Sequence, residues 1–120
     1  MNRKHIPTTY DEARDLLKGR TSRNIANNTR LDVLEHDAGD DVIGPRLHST
    51  YVVRFYSDGR ITLHTGGWES VTTKDRLNRV ARAHGWSVYA AKRVWYVQHR
   101  FGTRLPFAEG FTIAHGLAKS

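Results

Sequence analysis

Residues 66 to 86, GGWESVTTKDRLNRVARAHGW, combine groups that proteins use to hold an oxyanion. Gly66 and Gly67 let a ligand approach the backbone closely, while Thr72 and Thr73 stand where a helix begins. The free amide groups of a helix N-terminus attract negative charge, and arginines nearby strengthen that attraction. The passage predicts a phosphate site, although the spacing of a P-loop is missing and helix capping also explains the threonines.

The last third of the chain interleaves basic and aromatic side chains, an arrangement that holds single-stranded nucleic acid in other proteins. The basic side chains are Lys92, Arg93, Arg100 and Arg104, and the aromatic ones are Trp95, Tyr96 and Phe101. Trp68 and Trp95 are the candidates for stacking on bases. The alternative is that most of the aromatic side chains simply form the core.

No pattern of residues indicates a catalytic or metal site. The seven histidines lack the spacing of metal ligands, and the absence of cysteine excludes disulfides, thiolate catalysis and Cys-ligated zinc. His48 and His64 could meet on neighbouring strands and support acid–base chemistry. We therefore assign no catalytic residue, no metal and no cofactor, and keep a small nuclease or hydrolase as the weakest hypothesis.

Two helices are predicted to position these groups. Thr9 and Glu12 have the spacing of a capping box and predict a helix over about residues 10–18, which Gly19 ends. A second helix follows the threonine pair, with Thr72 or Thr73 as its N-cap, and ends at Gly85.

Alternating side chains predict strands between and after these helices. The strands cover about residues 28–35, 51–56, 60–65, 86–90 and 94–99. The dipeptide Asp58-Gly59 favours a two-residue hairpin turn in which Ser57 pairs with Arg60. In that register both faces of the hairpin mix apolar and polar side chains.

Composition indicates one folded domain with an α+β fold. The 120 residues suit a single domain, residues 1–120, in which two helices pack on a mostly antiparallel sheet of about five strands. We expect residues 1–8 to form a flexible tail and residues 111–120 to pack loosely. No run is apolar enough to span a membrane, so we expect a cytoplasmic protein without a membrane partner.

The basic charge is unevenly distributed along the chain. The formal net charge is +7, with +4 in residues 1–30, −4 in residues 31–59 and +7 in residues 60–120. Such asymmetry is typical of proteins that bind a polyanion. The alternative is that 14 arginines against five lysines reflect a GC-rich genome and that most of them are simply solvated.

Several blocks of the sequence resemble a group of small bacteriophage accessory proteins. The blocks are NNT at 27–29, RLHSTYVV at 46–53, SDGRITLHTGGWESVTTKDRLNR at 57–79 and VWYV at 94–97. Their shared pattern is NNT, LxxT, DG and then GGWxxxTTxxRxN. The resemblance implies a phage accessory protein in the cytoplasm of the infected host, but no particular activity.

The same resemblance points to a set of polar residues that core packing does not explain. They are Asn27, Asn28, Thr29, His48, Thr50, Thr72, Thr73, Arg76 and Asn78. With His64 and Arg79 they form the predicted ligand- or phosphate-binding set. Asn and Thr can also serve in turns and caps, so a structural role is the alternative.

Three functions remain as hypotheses. The first is an accessory protein that binds nucleic acid or another phosphate-bearing ligand. The second is a host-takeover or anti-defence protein that binds a host protein or sequesters a signalling nucleotide, and the third is the hydrolase above. An exposed strand edge would also allow a homodimer.

Overall fold

The structure, a computed structural model, describes residues 6–26, 29–37, 40–47, 50–67 and 70–115. Within these residues ten strands form two antiparallel sheets, and two α-helices pack with them. The α+β prediction is therefore confirmed, whereas the expected number of about five strands is wrong. Several short strands were not recognised because they carry little alternation of their own.

Both helices begin and end close to the predicted residues. They are α1 (Tyr10–Leu17) and α2 (Val71–Ala81), and a 3₁₀ turn (Arg82–His84) extends α2 up to Gly85. The hydroxyl of Thr9 accepts the Glu12 amide at 3.1 Å, which confirms the predicted N-cap of α1. Neither helix in the described part of the chain is long and apolar enough to cross a membrane.

Seven strands form a large sheet and three form a small one. The large sheet contains β1 (Ser22–Ala26), β2 (Thr29–Asp37), β3 (Asp40–Leu47), β4 (Thr50–Tyr51), β5 (Val53–Tyr56), β6 (Arg60–Leu63) and β10 (Phe111–His115). The small sheet contains β7 (Trp86–Ala91), β8 (Val94–His99) and β9 (Arg104–Pro106). The order in the large sheet is β1-β2-β3-β5-β6-β10, with β4 paired to β3.

The β5–β6 hairpin has a register one residue away from the predicted one. Val53 pairs with Leu63 and Phe55 with Ile61, so the loop has three residues and Gly59 adopts a φ of 99°. All four paired side chains are buried on one face. The predicted two-residue turn would have mixed polar and apolar side chains on both faces, and burial of one apolar face selects the longer loop.

One apolar core joins both sheets and both helices. The buried side of α2, which includes Leu77 and Val80, belongs to the same cluster as the buried face of the large sheet and Val97 of the small sheet. Ile6 is only 6% exposed, and Phe111–His115 pairs with β6. Residue 6 and strand β10 therefore contribute to this packing, while the flexible tail over residues 1–8 and the loose end over 111–120 stay predictions.

Asn78 links α2 to the small sheet through the backbone of Val88. Its amide nitrogen donates to the Val88 carbonyl at 2.9 Å, and its amide oxygen accepts the Val88 amide at 2.8 Å. Val88 lies on β7, which is an outer strand of the small sheet. No strand pairs with this edge of β7 in the sheet. The Asn78 side chain therefore supplies the hydrogen-bond partners of both the Val88 amide and the Val88 carbonyl.

We expect Asn78→Ala to destabilise the protein by about 1–3 kcal/mol, because it leaves the Val88 backbone groups unpaired in a partly buried place. Urea denaturation followed by tryptophan fluorescence measures this loss. Arg79→Ala on the next position of α2 is the control, since its exposed ion pair should contribute less than about 1 kcal/mol. Equal effects of the two substitutions would contradict the role of Asn78.

Candidate functional site

The Gly66-Gly67 turn surrounds an anion, and that anion is the carboxylate of Glu109. The backbone amides of Thr65 and Gly66 donate to it at 2.9 and 3.1 Å, and the Thr65 hydroxyl also donates to it. The amide of Gly67 donates to the Thr65 hydroxyl oxygen at 3.1 Å. These amides of the turn are therefore engaged within the protein.

Thr50 and His64 lie beside this turn. A Cβ atom at Gly66 would collide with the Thr50 side chain, and the φ of 62° at Gly66 also favours glycine. His64 Nε2 lies 2.9 Å from the Thr62 hydroxyl. Burial of His64, together with the positive charge of Arg54, lowers the pKa of the imidazole to about 4, so it is neutral at pH 7.

The N-terminus of α2 is capped by Ser70. Its hydroxyl accepts the Thr73 amide at 3.1 Å, so the prediction of Thr72 or Thr73 as the N-cap is wrong. The helix starts earlier because a serine hydroxyl reaches the amide three residues ahead. Thr73 is buried with its hydroxyl 3.1 Å from that of Ser70, whereas Thr72 is exposed.

Arg76 and Arg79 bind protein groups. Arg76 has a side chain 7% exposed, and it donates to the Thr29 hydroxyl at 2.9 Å and to Asp75 at 2.6 Å. Arg79 donates to the same carboxylate at 3.0 Å. The structure thus brings Thr29 and Arg76 together in a buried contact between β2 and α2.

The remaining predicted site residues fall into two groups. Four of them lie outside the described residues: Asn27, Asn28, His48 and Trp68. Trp95 is 8% exposed, its ring lies 6.1 Å from that of Phe107, and the Lys74 ammonium is 5.6 Å from its centroid. In this position Trp95 presents no open face on which a base could stack.

The side of the small sheet that faces away from α2 is rich in polar and aromatic groups. We call it the outer face, and it consists of Ser87, Tyr89, Tyr96, Gln98 and Arg104, which the strand register places side by side. The rings of Tyr89 and Tyr96 are stacked with centroids 5.6 Å apart. The Arg104 guanidinium lies 4.4 Å from the Tyr96 centroid.

A cavity of about 340 Å³ adjoins the outer face where β7 begins and β8 ends. It is lined by Arg82, Gly85, Trp86, Ser87, Gln98, His99, Arg100 and Gly102. The rings of Trp86 and His99 meet edge to face at 4.8 Å and form one rigid part of its lining. The cavity thus combines aromatic surface, two exposed arginines and the hydrogen-bonding ends of Ser87 and Gln98.

The basic side chains around the outer face differ from those of the large sheet. Arg82, Lys92, Arg93, Arg100 and Arg104 form no ion pair with any carboxylate that the structure describes. In contrast, Arg30 and Arg46 lie 2.9 and 3.9 Å from Asp32, and Arg60 lies 2.9 Å from Asp58. Five cations without a described carboxylate partner therefore lie around the small sheet.

Tyr89, Ser87 and Gln98 were missed as site residues. Nothing in their local spacing marks them, since only the pairing of β7 with β8 shows that they share a face. One signal could have found the region: the chain has no acidic residue between Asp75 and Glu109. The basic side chains of such a stretch have no carboxylate nearby in the sequence with which to form ion pairs.

The described histidine, aspartate and glutamate side chains do not cluster. No group of three or more histidine, aspartate or glutamate side chains among them could hold a metal ion. Burial lowers the pKa of His64, but its described hydrogen-bond partner is the hydroxyl of Thr62. Covalent catalysis needs a nucleophile, a base beside it and a third group that orients the base, and the Thr62–His64 pair by itself has no such third group.

We expect Glu109→Gln to reduce stability by about 1 kcal/mol at pH 7, because a charged acceptor of three hydrogen bonds is lost from a partly solvated place. Burial raises the pKa of Glu109, but the hydrogen bonds from Thr65 and Gly66 outweigh it, so the pKa is lowered from its ordinary value of 4.5. The stabilisation is therefore fully present above pH 4.5 and is lost as the pH falls through the lowered pKa.

Thermal unfolding of wild type and Glu109→Gln across that pH range measures the effect. The control is Asp15→Asn, which removes an exposed carboxylate near the C-terminal end of α1, where negative charge does not stabilise a helix. A stability difference for Glu109→Gln that stays constant down to low pH would contradict the carboxylate's role.

Comparison with known proteins identifies a family to which the chain is similar. Residues 9–114 match the family model of the Kyanoviridae Gp96 protein, which reaches from the N-cap of α1 into β10. Comparison with curated proteins and with solved structures finds no match. The match covers most of the chain, and it confirms the phage origin that the sequence pattern predicted. The chain therefore belongs to the Kyanoviridae Gp96 protein family, a family of phage proteins.

Proposed function

We propose that this phage protein binds single-stranded nucleic acid through the outer face of the small sheet and the adjoining cavity. One observation carries the proposal: the basic side chains around this face form no ion pair with a described carboxylate. Basic groups without internal partners can neutralise phosphates and release their counterions, which is the main source of affinity for nucleic acid.

The aromatic groups of the outer face give the bases a surface on which to stack. Tyr96 supports the Arg104 guanidinium, and the Arg104 Nη1 atom lies 3.4 Å from the Tyr89 hydroxyl. Bases stack on aromatic rings and also on guanidinium planes. A strand that crosses the small sheet would meet Tyr89 and Arg104 in succession, with phosphates towards the exposed cations.

The polar groups beside the cavity favour a single strand over a duplex. Ser87 and Gln98 are neighbours in the strand register, and both line the cavity. They can reach the hydrogen-bonding edge of a base only when that base is unpaired. Arg82 and Arg100 border the same cavity, where they are placed to bind the phosphate that belongs to such a base.

We expect Tyr96→Ala to weaken binding of a fluorescent single-stranded oligonucleotide about tenfold or more, since it removes the ring that supports Arg104 and Tyr89, and a lost stacking contact costs about 1–3 kcal/mol. Fluorescence anisotropy at constant salt measures this change. The control is Tyr56→Ala on the large sheet, where the Arg60 guanidinium lies 4.2 Å from the Tyr56 centroid in a similar contact.

Tyr56→Ala should leave the affinity unchanged, because Arg60 is already paired with Asp58. Similar losses from the two tyrosine substitutions would show that general destabilisation, and not the outer face, causes the effect. Unchanged binding in both would reject the outer face as the interface.

We also expect the affinity to fall steeply with salt, and Arg104→Gln to reduce the slope of log K against log salt by about 0.7, the value for one phosphate contact with a single strand. Arg79→Gln is the control, because Arg79 is paired with Asp75 at 3.0 Å. Anisotropy titrations at several salt concentrations give the slopes. A slope that Arg104→Gln leaves unchanged would exclude a phosphate contact at this position.

Capture of a single nucleotide is a second candidate function, and the cavity is the observation that favours it. Its volume of about 340 Å³ is within the range of small-ligand sites, which begins near 300 Å³. Calorimetric titration with mononucleotides separates the two functions. A mononucleotide that binds as tightly as an oligonucleotide would favour capture of a nucleotide, whereas affinity that rises with strand length would favour the outer face.

A further inference from the structure

Three neighbouring strands of the large sheet place Arg54, Thr62 and Thr112 in one row. Arg54 on β5 pairs with Thr62 on β6, and Thr62 pairs in turn with Thr112 on β10. Directly paired residues have Cβ atoms about 4.5–5.5 Å apart on the same side of a sheet. The row lies on the side opposite the buried Val53, Phe55, Ile61 and Leu63, and its side chains are only partly buried.

Arg54 differs from the other arginines that the structure describes on this side in its hydrogen bonding and ion pairing. Its Nε atom is buried without a hydrogen-bond acceptor, and the structure describes no ion pair for its guanidinium. Arg30, Arg46 and Arg60 on the same side each lie beside a carboxylate, as described above. A buried charged donor without an acceptor is costly, and an anion bound at the terminal nitrogens of the same guanidinium would offset that cost through its charge.

His64 lies next to this row and forms a hydrogen bond with Thr62. Its Nε2 atom lies 2.9 Å from the Thr62 hydroxyl, and with the proton on Nε2 it donates to that oxygen. The hydroxyl proton of Thr62 is then free to point at a ligand beside Arg54. Glu109, the carboxylate whose charge acts on His64, is already engaged by the amides of Thr65 and Gly66.

We propose that Arg54, Thr62 and Thr112 bind a small tetrahedral oxyanion, a phosphate group, at a site separate from the outer face of the small sheet. The Arg54 guanidinium supplies the charge and the donors of its two terminal nitrogens, and the two threonine hydroxyls supply neutral donors. This combination of one guanidinium with hydroxyl donors binds phosphate in a fixed orientation. His64 acts as a positioning residue, because it holds the hydroxyl of Thr62.

The test is a titration of nitrogen-labelled protein with inorganic phosphate, followed by NMR spectroscopy of the Arg54 Nε–H group and the His64 imidazole. We expect both signals to shift together in a saturable way. Arg54→Gln should weaken the phosphate affinity at least about tenfold, as expected for loss of a charged hydrogen-bond donor. Thr62→Val should weaken it less and should still remove the response of His64.

Arg60→Gln is the matched control, because it removes the same charge from the same side of the same hairpin. Arg60 is paired with Asp58, so this substitution should leave the phosphate affinity within about twofold of wild type. If Arg60→Gln weakens phosphate as much as Arg54→Gln, the attraction is general and the site is rejected. If Arg54→Gln does not fold, the wild-type titration and Thr62→Val decide.

Absence of any shift at Arg54 and His64 in the wild-type titration would also overturn the proposal. A second titration with a 5′-mononucleotide distinguishes a free phosphate from the phosphate of a nucleotide, since the bulkier ligand adds shifts around the row only if it is accepted. Tyr96→Ala should keep the phosphate response at Arg54. The failure of the oxyanion site and the failure of the nucleic-acid interface are thereby separable.

Discussion

Helix α2 is the element on which the arrangement of both sheets depends, because it hydrogen-bonds to each of them. Arg76 reaches the Thr29 hydroxyl at the start of β2, and Asn78 binds both backbone groups of Val88 on β7. The apolar side of the same helix fills the space between the sheets with Leu77. Polar contacts from two positions two residues apart fix the rotation of the helix, and apolar burial supplies most of the stabilisation. The small sheet is thus held by one side, and its other side is left open to solvent.

Two carboxylates of the protein accept hydrogen bonds within the fold, whereas several basic side chains have no described carboxylate partner. Asp32 is only 6% exposed and accepts hydrogen bonds from Ser22, Arg30 and Tyr51. Burial raises the pKa of Asp32, but these hydrogen bonds outweigh it and lower the pKa, so the carboxylate stays charged within the sheet. Glu109 plays a similar part at the Gly66-Gly67 turn. These two carboxylates are engaged within the fold, whereas the cations around β7, β8 and β9 have no carboxylate partner among the described residues.

Local patterns predicted the elements whose signals lie within a few residues. The cap at Thr9, the end of the second helix at Gly85 and the hairpin around Gly59 all follow from short-range rules. Strand β3 was missed because it contains Gly44 and Pro45, which favour turns. Its pairing partners on both sides override that preference, and a Cβ at Gly44 would approach the Val53 carbonyl to 2.6 Å. Such a close contact between strands cannot be inferred from the residues of one strand.

By itself the sequence determined the class of fold, the basic character of the chain and its relation to phage proteins, and it marked the Gly66-Gly67 turn as a place where amides are free to bind an oxyanion. Only the tertiary structure decided that the anion at this turn is Glu109, which is far from Gly66 in the chain but adjacent to it in space. It also decided that Trp95 belongs to the core while Tyr89 and Tyr96 share the outer face. The physical reason is that side-chain type limits what a residue can bind, whereas strand register and helix packing decide which groups meet and which remain open to solvent.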